Sequence, residues 1–154
     1  MKKHRGATPE IIDNLRRVFQ AINEYSRNAE KTTGLTGPQL WALKILDSTS
    51  PIRVSELAQR MYLRPATVVG ILDRLEMKGL ISRTRSMDDR RAVDLYLTEM
   101  GKQLADKAPE VAQAMLMKGL DELTEEQFST VEEGMKLMVR MLGAEQLTPQ
   151  PLHS

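Results

Sequence analysis

VSELAQRMYLRPATVVGILDRLEMKGLISRTRSMDDRRAVDLYLT, residues 54–98, runs a short helix, a tight turn, a second helix and a charged hairpin together without filler. In its first eight residues Val54, Leu57, Ala58 and Met61 fall on one side of a helix. Ser55 and Glu56 stand at its start, where a hydroxyl and a negative charge suit unpaired amides and the helix dipole. Tyr62 to Arg64 make the turn. Pro65 fits the first position of the next helix, where its missing N–H costs nothing, and Gly79 fits the residue just past its end. Between them Val68, Ile71 or Leu72, and Leu75 recur at helical spacing and face inward. Arg64, Ala66, Thr67, Val69, Gly70 and Arg74 are left on or near the outer side. Two helices joined through so short a turn form a helix-turn-helix, a weak signal by itself.

The hairpin strengthens it. Ile81 to Ser86 and Ala92 to Leu97 are strand-like, the second placing Val93, Leu95 and Leu97 on one face. The tip, Met87-Asp88-Asp89-Arg90-Arg91, carries two arginines beside carboxylates able to orient a guanidinium, as on a wing that reaches a minor groove. Thr98, followed by Glu99 and Gly101-Lys102, starts the next helix as an N-cap.

This ordered series resembles the multiple antibiotic resistance regulator (MarR) family of winged-helix transcription factors. Leu75-Glu76-Met77-Lys78-Gly79-Leu80-Ile81, then Arg83, Asp89-Arg90-Arg91, Leu97-Thr98 and Gly101, is similar to that family's recognition-helix end, wing and start of the fifth helix. Leu35-Thr36 with Gln39-Leu40-Trp41 resembles the start of its second helix, and the likeness spans Ile11 to Leu142. The resemblance implies a homodimeric regulator of double-stranded DNA, a pseudo-palindromic operator, and release by a small aromatic or anionic effector. It also implies that Asp89 holds Arg91 as an Asp-x-Arg pair.

Composition narrows the classes. With 154 residues the chain makes one unit with a real core. No 18-residue apolar run and no secretory start is visible, so a cytoplasmic protein with no membrane partner is expected. The absence of cysteine removes disulfides, thiolate catalysis and cysteine redox sensing. The two histidines, His4 and His153, lie in the ends, so no metal is expected. No phosphate-cradling loop, nucleophile with a base, or carboxylate pair implies an enzyme or a cofactor. The net charge of +1 conceals polarity. Residues 53–91 hold nine Lys or Arg against five Asp or Glu, whereas residues 98–142 hold five against nine. One lobe suits phosphates and the other faces away.

The expected fold is mainly α (α+β), a winged helix-turn-helix with terminal helices forming a dimerisation region. Ile11, Ile12, Leu15, Val18, Phe19, Ile22, Tyr25 and Ala29 set a helical stripe from near Pro9 to about Glu30. A second helix follows Thr36-Gly37-Pro38, and Ile52-Arg53 offers a third strand beside the wing. A fifth helix, kinked or interrupted at Pro109, runs from Thr98 to Leu120, and a sixth follows the capping box Thr124-x-x-Gln127. The boundaries read as a single unit over 9–142, with a DNA-reading part about 36–97, dimerisation helices about 9–30 and 98–142, and flexible ends 1–8 and 143–154. Leu116, Met117, Leu120, Leu123, Phe128, Val131, Met135, Met138 and Leu142 exceed what one monomer needs to bury, unless these helices fold back onto the winged part.

Arg64, Thr67, Val69 and Gly70 are the major-groove candidates. The arginine and hydroxyl can bond base edges, and the glycine lets the backbone approach. Ala66 and Val69 suit thymine methyls. Few polar side chains stand on this face, which favours an A·T-leaning, partly shape-read site. Arg53, Arg74, Ser55 and Thr36 are phosphate candidates, with Arg74 alternatively paired to Asp73 or Glu76. At the wing Arg91 is the minor-groove arginine and Arg90 a phosphate candidate, while Asp89 and Arg91 also suit bracing of the turn. Arg83, Arg85, Arg90 and Arg91 together argue against a winged helix that binds only protein. Arg16, Tyr25, Trp41 and Lys44 have the chemistry of an effector site, although Trp41 and Lys44 equally suit core and solvent. Met100, Met115 and Met117 read as core filling, a pliable pocket wall or an oxidisable switch.

Overall fold

The computed structural model describes residues 6–152, so the expectations for residues 1–5 and 153–154, including His4 and His153, lie outside the described residues. Among these residues seven helices and three strands follow in the order α1 (Thr8–Thr33), α2 (Gly37–Thr49), β1 (Ile52–Arg53), α3 (Val54–Met61), α4 (Pro65–Met77), β2 (Ile81–Arg85), β3 (Val93–Leu97), α5 (Glu99–Lys107), α6 (Ala112–Asp121) and α7 (Glu125–Met141).

Helix α2 is the hub. Thr36 opens it with a reciprocal capping box, its hydroxyl accepting from Gln39 N–H at 3.3 Å while the Gln39 side chain accepts from Thr36 N–H at 3.1 Å. Leu40, Trp41, Ala42, Leu43 and Leu46 are buried, and the helix packs against α1, α3, α4, α5, α6 and β3. Leu35, Leu57, Met61, Val68, Leu72, Leu75 and Leu95 complete the core around it.

Helix α4 has the inward face expected of it, with Val68, Ile71, Leu72 and Leu75 all buried. It ends in a Schellman motif. Gly79 N–H donates to the Glu76 carbonyl at 2.9 Å and Leu80 N–H to the Leu75 carbonyl at 3.0 Å. Gly79 takes φ +73°, a left-handed conformation that a side chain resists. The chain then enters β2, which pairs antiparallel with β3 from Ile81↔Leu97 to Arg85↔Val93. β1 adds to the other edge of β3 through Ile52↔Leu95 and Arg53↔Asp94.

Thr98 locks this sheet to the helices. Its hydroxyl donates to the Gly79 carbonyl at 2.7 Å and accepts from Gly101 N–H at 3.1 Å, and its own N–H donates to the Leu80 carbonyl at 3.1 Å. Residue 101 must be glycine for this joint to close. A Cβ there would overlap the Leu80 carbonyl oxygen and come within 2.8 Å of Leu97 Cδ1.

Pro109 interrupts the expected fifth helix, because Ala108, restricted by the following ring, is extended at φ −73°, ψ 143°, and helix resumes only at Ala112. One local expectation is corrected. Ser55 does not cap α3. The N-cap is Arg53, no side chain caps it, and Ser55 lies two residues past the cap, inside the first turn. The apolar stripe of α1 is buried only at its C-terminal end, at Ala29, with Leu15, Ile22 and Tyr25 partly covered and Ile11, Ile12, Val18 and Phe19 exposed. Helices α6 and α7 bury no residue at all in the single chain.

The chain leaves α7 through Gly143, whose φ of +63° turns it back. Pro149 to Leu152 then line a cleft with Tyr25, Gly37, Trp41 and Val111.

Replacing Gly101 with Ala is expected to destabilise the fold by roughly 1–3 kcal/mol, since neither a backbone carbonyl nor a packed leucine can yield cheaply. Urea unfolding of Gly101→Ala beside the unsubstituted chain measures this, and an unchanged midpoint would show that α5 does not depend on the contact.

Candidate nucleic-acid interface

Helix α4 presents an outer face beginning at its N-cap. Arg64 supplies the carbonyl that accepts from Thr67 N–H at 3.0 Å and Val68 N–H at 3.2 Å, but its side chain makes no capping bond and is exposed. With Thr67 and Val68 N–H bonded to the Arg64 carbonyl and Pro65 lacking an N–H, the first turn offers the Ala66 N–H beside an exposed guanidinium, an arrangement suited to an anionic backbone. Thr67 is half-buried, while Ala66, Val69, Gly70 and Arg74 are exposed. Thr36, Thr67, Gly70 and Arg74 border one shallow groove, so the start of α2 adjoins this face. The Thr36 hydroxyl accepts from Gln39 N–H in the capping box and keeps its proton to donate.

Gly70 is informative because the fold does not require it. Its φ lies outside the left-handed range, and a Cβ there would meet nothing within 4 Å. Glycine within a helix costs roughly 0.5–1 kcal/mol against alanine, so its place on the outward face suits close approach of another backbone.

The wing stands beside α4. Its loop is held internally: Ala92 N–H donates to the Asp89 carbonyl at 2.9 Å, Ser86 N–H to the Ala92 carbonyl at 3.0 Å, and Asp88 N–H to the Ser86 hydroxyl at 3.3 Å. Asp89 does meet Arg91, but through the main chain. Its Oδ1 accepts from Arg91 N–H at 3.0 Å. The carboxylate thus fixes the turn and leaves the guanidinium free to reach outward. Met87, Arg90 and Arg91 are exposed at the tip.

Arg83 has a different place from the one its charge suggested. Its Nε and Nη2 donate to Glu76 Oε2 and Oε1 at 3.2 and 3.1 Å, and Nη2 lies 2.7 Å from Asp73 Oδ1. This brace ties the base of the wing to the last turns of α4. The hydrogen bonds from Arg83 hold the Glu76 carboxyl below the usual carboxylate range, and Glu76 and then Asp73 raise the Arg83 guanidinium. A depressed carboxylate stabilises only while ionised, so the brace is intact at neutral pH and is lost as pH falls through the lowered value. The sequence offered Asp73 and Glu76 as partners for Arg74, and it is Arg83 that takes both. The only available signal was spacing, since Asp73 and Glu76 are three apart on a helix whose chain returns to it seven residues later.

Taking both carboxylates, Arg83 leaves Arg74 without an acidic partner. Among the described residues no carboxylate pairs with Arg53, Arg64, Arg74, Arg85, Arg90 or Arg91. Arg53 and Ser55 are exposed at the start of α3. Exposed cations without a carboxylate partner are the chemistry that suits a phosphate backbone.

The family model described as MarR family matches residues 35–93, which is the α2 to β3 unit just described. The HTH-type transcriptional repressor MdtR of Bacillus subtilis (strain 168) is 36% identical over 127 residues, 82% of each chain. The chain belongs to the MarR family. Among solved structures, the YusO protein from Bacillus subtilis is 31% identical with a TM-score of 0.56, covering 90% of this chain and 99% of that one. A MepR-like protein complexed with pseudoligands is 28% identical with a TM-score of 0.60, covering 89% and 97%. The MarR-family chain is a DNA-binding transcription regulator of winged-helix fold and not an enzyme. A winged helix confined to protein contacts is set aside.

Arg91→Ala is expected to weaken binding to DNA and to reduce the slope of log K against log salt by about one phosphate contact. Arg83→Gln is expected to weaken binding with the slope unchanged, because its cation is spent within the protein. Fluorescence anisotropy across a salt series separates the two. Equal loss of slope would place Arg83 on the nucleic acid, and an unaltered Arg91→Ala would remove that residue from the interface.

A second pair of measurements concerns α4. Gly70→Ala is expected to raise stability by about 0.5–1 kcal/mol in urea unfolding while lowering DNA affinity. A gain in both would show that no backbone comes close there.

Proposed function

We propose that the protein is a cytoplasmic, ligand-responsive repressor that binds a pseudo-palindromic operator as a homodimer. The observation that carries this reading is the sorting of its surface: partnerless cations along α4 and the wing, and bare apolar side chains along α1, α6 and α7. Phe19, Phe128, Met135 and Leu142 are 60, 48, 58 and 72% exposed. Four large apolar side chains this open need a covering protein surface, and a second copy offers the same stripe in return. No helix among the described residues is long and apolar enough to cross a membrane.

A two-fold pair of winged helices reads two half-sites about 34 Å apart, one turn of the duplex. Arg64 and Thr67 supply direct readout, Ala66 and Val69 suit thymine methyls, and Arg91 suits a narrow minor groove, which together favour A·T-leaning half-sites. Arg53, Ser55, Thr36, Arg74 and Arg90 hold phosphates, with Asp89 shaping the loop that presents Arg91. Occlusion of a promoter is the direct consequence of a dimer seated on its operator. That MdtR is named a repressor supports this sign of regulation.

For the effector, a cavity of about 260 Å³ lies between α1, α2, the α3–α4 turn, α6 and the chain's tail. Tyr25 and Trp41 line it with Ser26, Pro38, Met61 and Leu63. Arg16 and Lys44 do not. Arg16 is exposed and pairs with Asp13 at 2.8 Å, and Lys44 is half-buried on α2 away from the lining. Aromatic and apolar walls without a cation favour an uncharged aromatic ligand over an anion. The pseudoligands of the MepR-like structure support a small-molecule reading.

Footprinting on the intergenic DNA upstream of its own gene, with light scattering of the free protein, tests this reading. Protection of two half-sites one turn apart by a particle of two chains is expected. A single protected half-site or a one-chain mass would overturn the homodimer, and half-sites of G·C alone would remove the A·T preference.

A further inference from the structure

The segment Thr148-Pro149-Gln150-Pro151-Leu152 touches both functional regions at once. On one side Pro149 to Leu152 form a wall of the aromatic cavity, facing Tyr25, Trp41 and Val111. On the other, Thr148, Pro149 and Gln150 share a groove with Tyr62, Leu63, Arg64, Ala66 and Thr67. Pro151 borders a third, with Thr36, Gln39, Thr67, Gly70 and Arg74. Six of the residues assigned to DNA therefore lie beside four residues of the chain's own tail, Thr148 to Pro151.

Its approach is directed. At the end of α7, Gly143 N–H donates to the Arg140 carbonyl at 3.0 Å and Ala144 N–H to the Val139 carbonyl at 3.0 Å, a Schellman reversal. Leu147 N–H then closes a turn on the Ala144 carbonyl at 3.1 Å. Two prolines hold the following segment extended and lower the entropy lost on docking. Residues 143–152 hold Glu145 and neither Lys nor Arg, so the segment has no cation to offer a phosphate. Lying beside the residues proposed above to meet the duplex, it stands in the way of one.

We propose that Thr148–Leu152 is an internal ligand, a strap that excludes DNA from the first turn of α4 while it covers the aromatic cavity. DNA binding displaces the strap and uncovers the cavity. An effector seated beneath the strap uses it as a wall and so binds the strapped state better. By linkage it then lowers DNA affinity by the same factor, typically 5–150-fold. The part concerning the effector rests on the ligand-responsive reading above, whereas the competition with DNA rests only on the strap and α4.

The chain has one tryptophan, Trp41, 5% exposed in that cavity, which makes it an internal reporter. The test compares the full chain, a chain ending at Leu147 and the double variant Pro149→Ser, Pro151→Ser. Each is titrated with duplex from the region upstream of its own gene, and acrylamide quenching of Trp41 is followed with and without DNA. Truncation is expected to tighten binding at least fivefold and raise quenching, with the double variant between. DNA should raise quenching in the full chain and leave the truncated one unchanged. Equal or weaker binding by a truncated chain of unaltered melting temperature would overturn the strap and leave the DNA-binding face standing. Unchanged Trp41 quenching on truncation would overturn it as a cover. Binding by none of the three would remove α4 as the DNA-binding face, and the competition with it. Should the truncated chain not fold, the double variant carries the same comparison, and unaltered affinity and quenching there would overturn the proposal.

Discussion

A single hydroxyl, that of Thr98, joins the recognition helix to everything behind it. As donor it holds the Gly79 carbonyl at the end of α4, and as acceptor it starts α5 at Gly101. A hydroxyl can fill both roles at once, and here it does so between two helices and the root of the hairpin. Because Gly101 has no side chain, α5 lies against the Leu80 backbone with no compliant layer between. The angle between α4, the wing and α5 is therefore set by backbone contact.

Electrostatics completes the frame with a division of labour among cations. Arg83 consumes Asp73 and Glu76, Lys102 bridges α5 to α2 by its 2.9 Å contact with Asp47, and Lys78 donates to the Gly34 carbonyl at 2.8 Å. These three hold elements together. Arg53, Arg64, Arg74, Arg90 and Arg91 have no such engagement and remain available to phosphate. Exposed pairs are individually weak, and the value of the Arg83 brace lies in orientation rather than in stability. It ties the base of the hairpin to the end of α4, so that α4 and the wing tip are presented in one register.

The order of elements was legible because punctuation is local. Pro65 and Gly79 bound α4, Thr36-Gly37-Pro38 marks the start of α2, Thr124 announces a capping box that forms, and period-two alternation marks β3. The inward face of α4 followed from spacing alone. What spacing cannot carry is partner choice. Arg83 counts as one more basic residue until β2 folds back beside α4, and only then does its charge meet two carboxylates. The Asp89-x-Arg91 pattern is equally silent on which atom of Arg91 is held, and the main-chain N–H proves to be the one. Tyr25 and Trp41 face a shared cavity because α1 and α2 cross there, whereas Arg16 and Lys44, chosen for charge, point elsewhere. The returning tail left no periodic signal, since an extended proline segment has none.

Helix α7 supplies the remaining step. Seventeen residues long, with no buried residue in a single chain, it lacks the tertiary packing from which helices in proteins draw most of their stability. Its capping box and the Lys136 pairs with Glu132 and Glu133 at 3.3 and 3.6 Å support it locally. Such devices are worth tenths of a kcal/mol to about one each, too little to hold an isolated helix of this length. On the homodimer proposed above, covering Phe128, Val131, Met135 and Leu142 is then part of folding rather than an association of finished subunits. Stability becomes linked to protein concentration, as for any chain whose folded state is the assembled one. The same linkage reaches the DNA-binding surface, because α7 leads through Gly143 into the tail that lies beside α4.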